Sequence, residues 1–202
     1  MTPDSEPAST ALERAEPTDR ALMARVRDGD AVAFGTLVER HSPLIYRVAY
    51  RLLGDAHEAE DVVQESFTRL WTNAPQWHPS GGGIGAWLRR VGMNLCFDRL
   101  RKSKRIAPEE PPEAPDDTPR ADAVMVSDEI GKTVDRCLRE LPERQAAALI
   151  LSYYEGLSNA ESAKTLEMKV KALESLLVRA RRKMRALLEQ EGVLAADVEQ
   201  LT

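Results

Sequence analysis

Apolar residues recur along this chain at spacings of three and four, the period of an amphipathic helix, and no convincing two-residue alternation suggests a half-buried strand. The clearest stretch opens after Asp30 and carries Phe34, Leu37, Val38, His41, Ile45, Val48 and Leu52. It predicts a helix over 31–53 that stops at Gly54, where a left-handed cap fits. A shorter helix, 18–27, precedes it and stops near Gly29. Asp55 with Glu58 three residues on resembles a capping box and predicts a third helix to about residue 73. A Gly-rich loop at 74–83 leads to a fourth helix over 84–104. Farther on, helices are expected from about 121 to Leu141-Pro142 and from Glu143 to Gly156. Ser158 with Glu161 is a second capping box, opening a short helix to about 166. A brief turn at 167–169 then enters a long final helix over 170–191. The expected fold class is all-α, and its last part has the order of a helix-turn-helix: short helix, tight turn, longer basic helix.

One segment breaks the periodicity. Pro108, Pro111, Pro112, Pro115 and Pro119 stand among acids, a composition that can neither continue a helix nor bury apolar area. Like charges and prolines keep such a segment extended. The expected organisation is therefore two small helical domains, 18–105 and 121–190, joined by a Pro-rich acidic linker at 106–120. A disordered tail is expected at 1–17 and a C-terminal tail at 191–202. The 202 residues suffice for two such domains.

Charge changes the picture by its distribution. The net charge of −5 argues against a nucleic-acid binder. Yet 89–105 holds seven basic residues against one acid, and 169–185 again seven against one, while 106–129 holds eight acids against Arg120. Two basic blocks flank an acidic one. No apolar run exceeds the six residues of 146–151, so no membrane insertion is expected, and without the order of a signal peptide the location expected is cytoplasmic. Cys96 and Cys137 lack partners at metal-ligand spacing and read as small buried apolar residues.

In the final helix Leu173, Leu176, Leu177, Ala180, Met184 and Leu187 form one stripe, which leaves Lys171, Ser175, Arg179 and Arg182 on the opposite face. Two readings fit that face: a solvated surface, or one that enters a DNA groove. Groove entry puts Lys171, Glu174, Ser175, Val178 and Arg179 near base edges and phosphates. Asp55, Glu58, Glu60, Asp61 and Glu65 put acids on a helix that suits a basic protein surface, or water, better than DNA. The loop from Trp77 and His78 through Gly83 lacks the Lys-Ser/Thr ending of a phosphate cradle, and three scattered histidines form no catalytic cluster. Trp87, Arg89, Arg90, Asn94, Phe97 and Arg101 combine aromatic and basic character that could hold unpaired bases, although Trp87 and Phe97 taken alone read as core.

These residues carry a resemblance. Ala33-Phe34-x-x-Leu37-Val38, the run Ala59-Glu60-Asp61-Val62-Val63-Gln64-Glu65-Ser66-Phe67 and the run Ala86-Trp87-Leu88-Arg89-Arg90-Val91-Gly92 with Asn94, Asp98 and Arg101 resemble region two of extracytoplasmic-function (ECF) sigma factors of the sigma-70 family. Leu141-Pro142-Glu143-Arg144, Tyr154-Glu155-Gly156-Leu157-Ser158 and Val170-Lys171-Ala172-x-Glu174-Ser175-Leu176-Leu177 resemble region four. The resemblance implies a non-enzymatic factor that gives RNA polymerase promoter recognition and melting, with core polymerase, promoter DNA and an anti-sigma factor as partners and with no cofactor or metal. It implies core-polymerase docking through Asp61, Gln64 and Glu65. It implies minus-ten contacts from Trp77, His78, Asn94, Asp98 and Arg101, and minus-thirty-five contacts from Lys171, Glu174, Ser175, Val178, Arg179 and Arg182. A sigma mimic that titrates an anti-sigma factor without touching DNA is the alternative.

Three positions depart from the family pattern: Ser162 replaces the usual Ile, Glu167 a common turn Gly, and Lys169 a capping Ser. A non-Gly residue in a left-handed turn and a lost cap each cost about 1 kcal/mol.

Overall fold

The structure, a computed structural model, describes residues 17–78, 83–106 and 125–193. Among these every regular element is helical. The sequence prediction of an all-α chain holds, and eight α-helices carry it.

The first four helices make one bundle. α1 (Asp19–Arg27) is capped by the Thr18 hydroxyl, which accepts from the Ala21 N–H at 3.3 Å. α2 (Ala31–Leu53) starts at Asp30, whose carboxylate accepts from the Val32 and Ala33 N–H groups at 2.9 and 3.0 Å. It ends at Gly54 with φ of 73°, as its sequence requires. α3 (Ala56–Asn73) corrects one expectation. Asp55 caps the Glu58 N–H at 2.9 Å, but the Glu58 carboxylate does not return the bond; it takes Arg99 of the fourth helix at 2.5 Å instead. A 3-10 turn, Ala74–Gln76, follows, and α4 (Gly83–Ile106) closes the bundle. Leu22, Leu37, Leu70, Leu88 and Met93 fill its centre. At Gly92 a Cβ would lie 3.0 Å from Ile45, so a small residue sets the close approach of α4 to α2.

The second group is α5 (Met125–Glu140), α6 (Glu143–Leu149), α7 (Asn159–Thr165) and α8 (Val170–Gln190). The helix expected from Glu143 to Gly156 does not continue as α-helix. It widens at Ile150–Tyr154 into a π-turn, in which the Glu155 N–H reaches the Ile150 carbonyl at 3.0 Å, and Gly156 ends it with φ of 61°. Ser158 and Glu161 form the complete reciprocal box before α7. Hydrogen bonds from Ser158 hold the Glu161 carboxyl below the usual range. Leu166, Leu173, Leu177 and Ala180 pack α8 on α6 and α7.

The expected α5 start near residue 121, the linker and both outer tails fall largely outside the described residues. The two groups touch: α2 meets α5, α6 and the π-turn, and α4 meets α6 and α7.

Candidate functional site

Each departure noted in the helix-turn-helix has a physical counterpart. Glu167 sits in the left-handed region with φ of 53°, among described residues the non-Gly position that does so. Lys169 occupies the N-cap of α8 and makes no side-chain cap. Ser162 is fully buried, with its hydroxyl oxygen accepting from the Ser152 hydroxyl at 3.3 Å, so the polar group that replaces an apolar one has a partner.

The face of α8 opposite its apolar stripe is open. Lys171, Glu174, Ser175, Val178, Arg179 and Arg182 are all exposed, Val178 at 59%. Lys171, Arg179 and Arg182 make no ion pair among the described residues; the Arg179 Nε donates to the Ser175 carbonyl at 3.3 Å, which steadies its stem along the helix. Arg181 leans back to the Tyr153 hydroxyl at 2.9 Å. An uncapped helix N-terminus beside a row of uncompensated cations is an anion-facing surface.

The candidate minus-ten residues form a looser set. Asn94, Asp98 and Arg101 lie on one exposed face of α4, and Asp98 pairs with Arg101. His78 is exposed, its Nδ1 2.7 Å from the Gln76 carbonyl, and Trp77 is half-buried against the core. Residues 79–82 of the same loop are outside the described residues. Trp87 and Phe97 pack on the core rather than standing clear for bases. Arg89 is half-buried, which pulls its pKa down, and Arg90 pairs with Glu167 at 3.5 Å. The pair Arg89 and Arg90 is thus engaged inside the molecule in this conformation.

On α3, Asp61 and Gln64 are exposed, whereas Glu65 turns toward Arg69 at 2.5 Å and Arg99 at 3.9 Å. Asp61 has no ion pair among the described residues. Beside it Glu60, Val63 and Gln64 face Ser42, Pro43 and Tyr46 of α2 across an open groove of about 370 Å³. The α2 wall was missed in the sequence because Ser42, Pro43 and Tyr46 carry no charge pattern; only the packing of α2 on α3 makes them one surface with the acids.

Cys96 and Cys137 are buried free thiols, and burial pushes the Cys96 thiol up to about 12. Among the described residues no group of His, Cys, Asp and Glu is placed to hold a metal, and no helix is long and apolar enough to cross a membrane.

Residues 37–106 match the family model for Sigma-70 region 2, and residues 132–184 match that for Sigma-70, region 4. The ECF RNA polymerase sigma factor SigE of Mycolicibacterium smegmatis is 34% identical over 182 residues, covering 88% of this chain and 70% of that protein. The chain belongs to the ECF sigma factors of the sigma-70 family. SigW of Bacillus subtilis, also an ECF sigma factor, is 31% identical over 81% of this chain and 92% of its own length. Among solved structures, CnrH in complex with the cytosolic domain of CnrY superposes with a TM-score of 0.64 at 29% identity, covering 85% of this chain and 97% of that one. The α1–α4 bundle therefore carries region two of a sigma factor and the α5–α8 group region four. Sigma factors are initiation factors of transcription and not enzymes.

Proposed function

We propose that this ECF sigma factor directs RNA polymerase to promoters through three surfaces and takes part in melting them. Asp61 and Gln64, with the groove walled by Tyr46 and Pro43, dock on core polymerase, and Glu65 contributes from a half-buried position. Trp77, His78, Asn94, Asp98 and Arg101 hold the minus-ten element. Lys171, Glu174, Ser175, Val178, Arg179 and Arg182 read the minus-thirty-five element from the major groove. An anti-sigma factor is the expected regulator, and the domain limits proposed are 18–105 and 121–190.

The observation that carries this reading is the exposed α8 stripe. Its cations have no internal counter-charge, so their electrostatic energy is available to phosphates and base edges. A basic face that served only solubility would not need to project from the second helix of a helix-turn-helix.

Core polymerase mixed with the purified chain should open a promoter that core alone leaves closed, read by fluorescence of a base analogue at the melted position. Asp61→Lys should weaken core binding at least tenfold in a titration, while leaving binding of the chain to core-free DNA unchanged. No opening at any selected promoter, with retained binding to an anti-sigma factor, would move the assignment to a sigma mimic.

A further inference from the structure

The exposed face of α8 is not uniformly basic. Between Lys171 and Arg182 stand an acid and an aliphatic residue one helical turn apart, Glu174 and Val178. Neither suits a face that only attracts phosphate. A carboxylate repels phosphate, and the protein does not neutralise this one: Glu174 is exposed and, with Lys171 three residues before it, makes no ion pair among the described residues. Val178 is 59% exposed. Being β-branched, it is a weaker helix former than the Lys or Arg that a row built for phosphate would carry there.

The relief of this face limits what the two residues can touch. A valine side chain is short, so it meets a base only where the helix backbone itself comes close to the groove floor. Its neighbours permit that approach. Ser175, three residues before Val178, turns its hydroxyl back onto the Lys171 carbonyl at 3.0 Å. The Arg179 Nε is drawn to the Ser175 carbonyl at 3.3 Å, so its stem runs along the helix. Between the longer side chains this leaves a shallow seat of Ser175 and Val178, in which the Ser175 hydroxyl has already spent its proton.

The complement of each group follows from the base edges. An aliphatic seat in the major groove matches the C5-methyl of thymine. A carboxylate only accepts hydrogen bonds, so Glu174 matches an amino group, that of cytosine or adenine, and opposes the guanine acceptors that arginines favour. Four residues rise about 6 Å along a helix, and stacked bases are spaced by about 3.4 Å. The methyl and the amino group therefore belong one or two base pairs apart.

We propose that Val178, seated with Ser175, reads a thymine methyl and that Glu174 reads an amino group one or two base pairs away. Together they supply sequence discrimination in the upstream element that phosphate-seeking cations do not. This rests on the reading under Proposed function that α8 enters the major groove.

The test uses holoenzyme assembled from the full chain and core polymerase, and a promoter duplex that it selects from a library randomised over the upstream element. Each thymine of the selected element is replaced in turn by deoxyuridine, which removes the methyl and keeps the pairing. One replacement should weaken wild-type binding about fourfold, the worth of one carbon taken out of water. The same replacement should cost nothing in Val178→Ala, a change at an exposed position to the best helix former, which leaves the fold intact. Inverting the neighbouring pair that presents the amino group should weaken wild type about tenfold and Glu174→Ala far less. Deleting the whole upstream element separates the two readings. If deletion leaves affinity unchanged, groove entry by α8 falls and the methyl seat with it. If deletion weakens binding but no thymine responds to loss of its methyl, or the response is as large in Val178→Ala, the seat is overturned while groove entry stands.

Discussion

The two basic blocks of this sigma factor hold the same number of cations and one acid each, and the fold uses them in opposite ways. On α4, Arg99 is committed to Glu58 and Glu65, Arg90 to Glu167 and Lys104 to Glu143, whereas Arg101 pairs only with Asp98 of its own exposed face. On α8, Lys171, Arg179, Arg182, Lys183 and Arg185 are exposed and make no ion pair among the described residues. Charge density along a chain therefore does not identify a nucleic-acid surface. What identifies it is whether neighbouring elements supply the counter-charge, since an ion pair already made inside the protein has little attraction left for phosphate.

The largest expected effect separates the two blocks by their response to DNA. Neutralising Lys171, Arg179 and Arg182 together to Ala should lower holoenzyme affinity for a promoter carrying the upstream element at least 100-fold. It should reduce the slope of log affinity against log salt by about 0.9 for each phosphate that is no longer neutralised. Arg179→Ala alone should cost about 1–3 kcal/mol if it reads a base. A salt titration of binding checks both, and a triple variant that keeps wild-type affinity and slope would make the two blocks equivalent.

The next effect runs the other way. Arg99→Ala removes the clamp between α3 and α4, its guanidinium 2.5 Å from Glu58 and its side chain 20% exposed. Thermal unfolding should show region two destabilised by about 1 kcal/mol, with Glu58 half-exposed and hence partly screened.

The smallest effect sharpens the picture of α8. Lys169→Ser supplies the missing hydroxyl cap and takes a positive charge off the positive end of the helix, and should stabilise region four by about 0.5–1 kcal/mol in chemical denaturation. If promoter affinity falls at the same time, Lys169 belongs to the phosphate-facing row; if it is unchanged, the uncapped start is a structural deficit alone.

Several features were legible in the residues because they are local. The helix start after Asp30, the Ser158 cap and the left-handed stop at Gly54 depend on chemistry within four positions, and the structure places each where the sequence put it, while the left-handed turn at Glu167 was legible only through the family resemblance. The apolar stripe of α8 was equally legible, and with it the outward face. The Asp55–Glu58 box failed for a non-local reason. Its carboxylate found a guanidinium 41 residues away, a bond in which both partners carry a full charge.

By itself, then, the sequence determined the all-α class, most helix limits and the direction in which α8 points its cations, because helical periodicity and capping are short-range. Only the tertiary structure decided that Arg89 and Arg90 are drawn into the contact between the domains, that Glu65 comes within reach of Arg99, that Tyr46 and Pro43 complete a groove with Gln64, and that the Glu143 helix widens before Glu155. Those outcomes depend on which charges meet across helices remote in the chain and how far they are removed from water, and no periodicity encodes that.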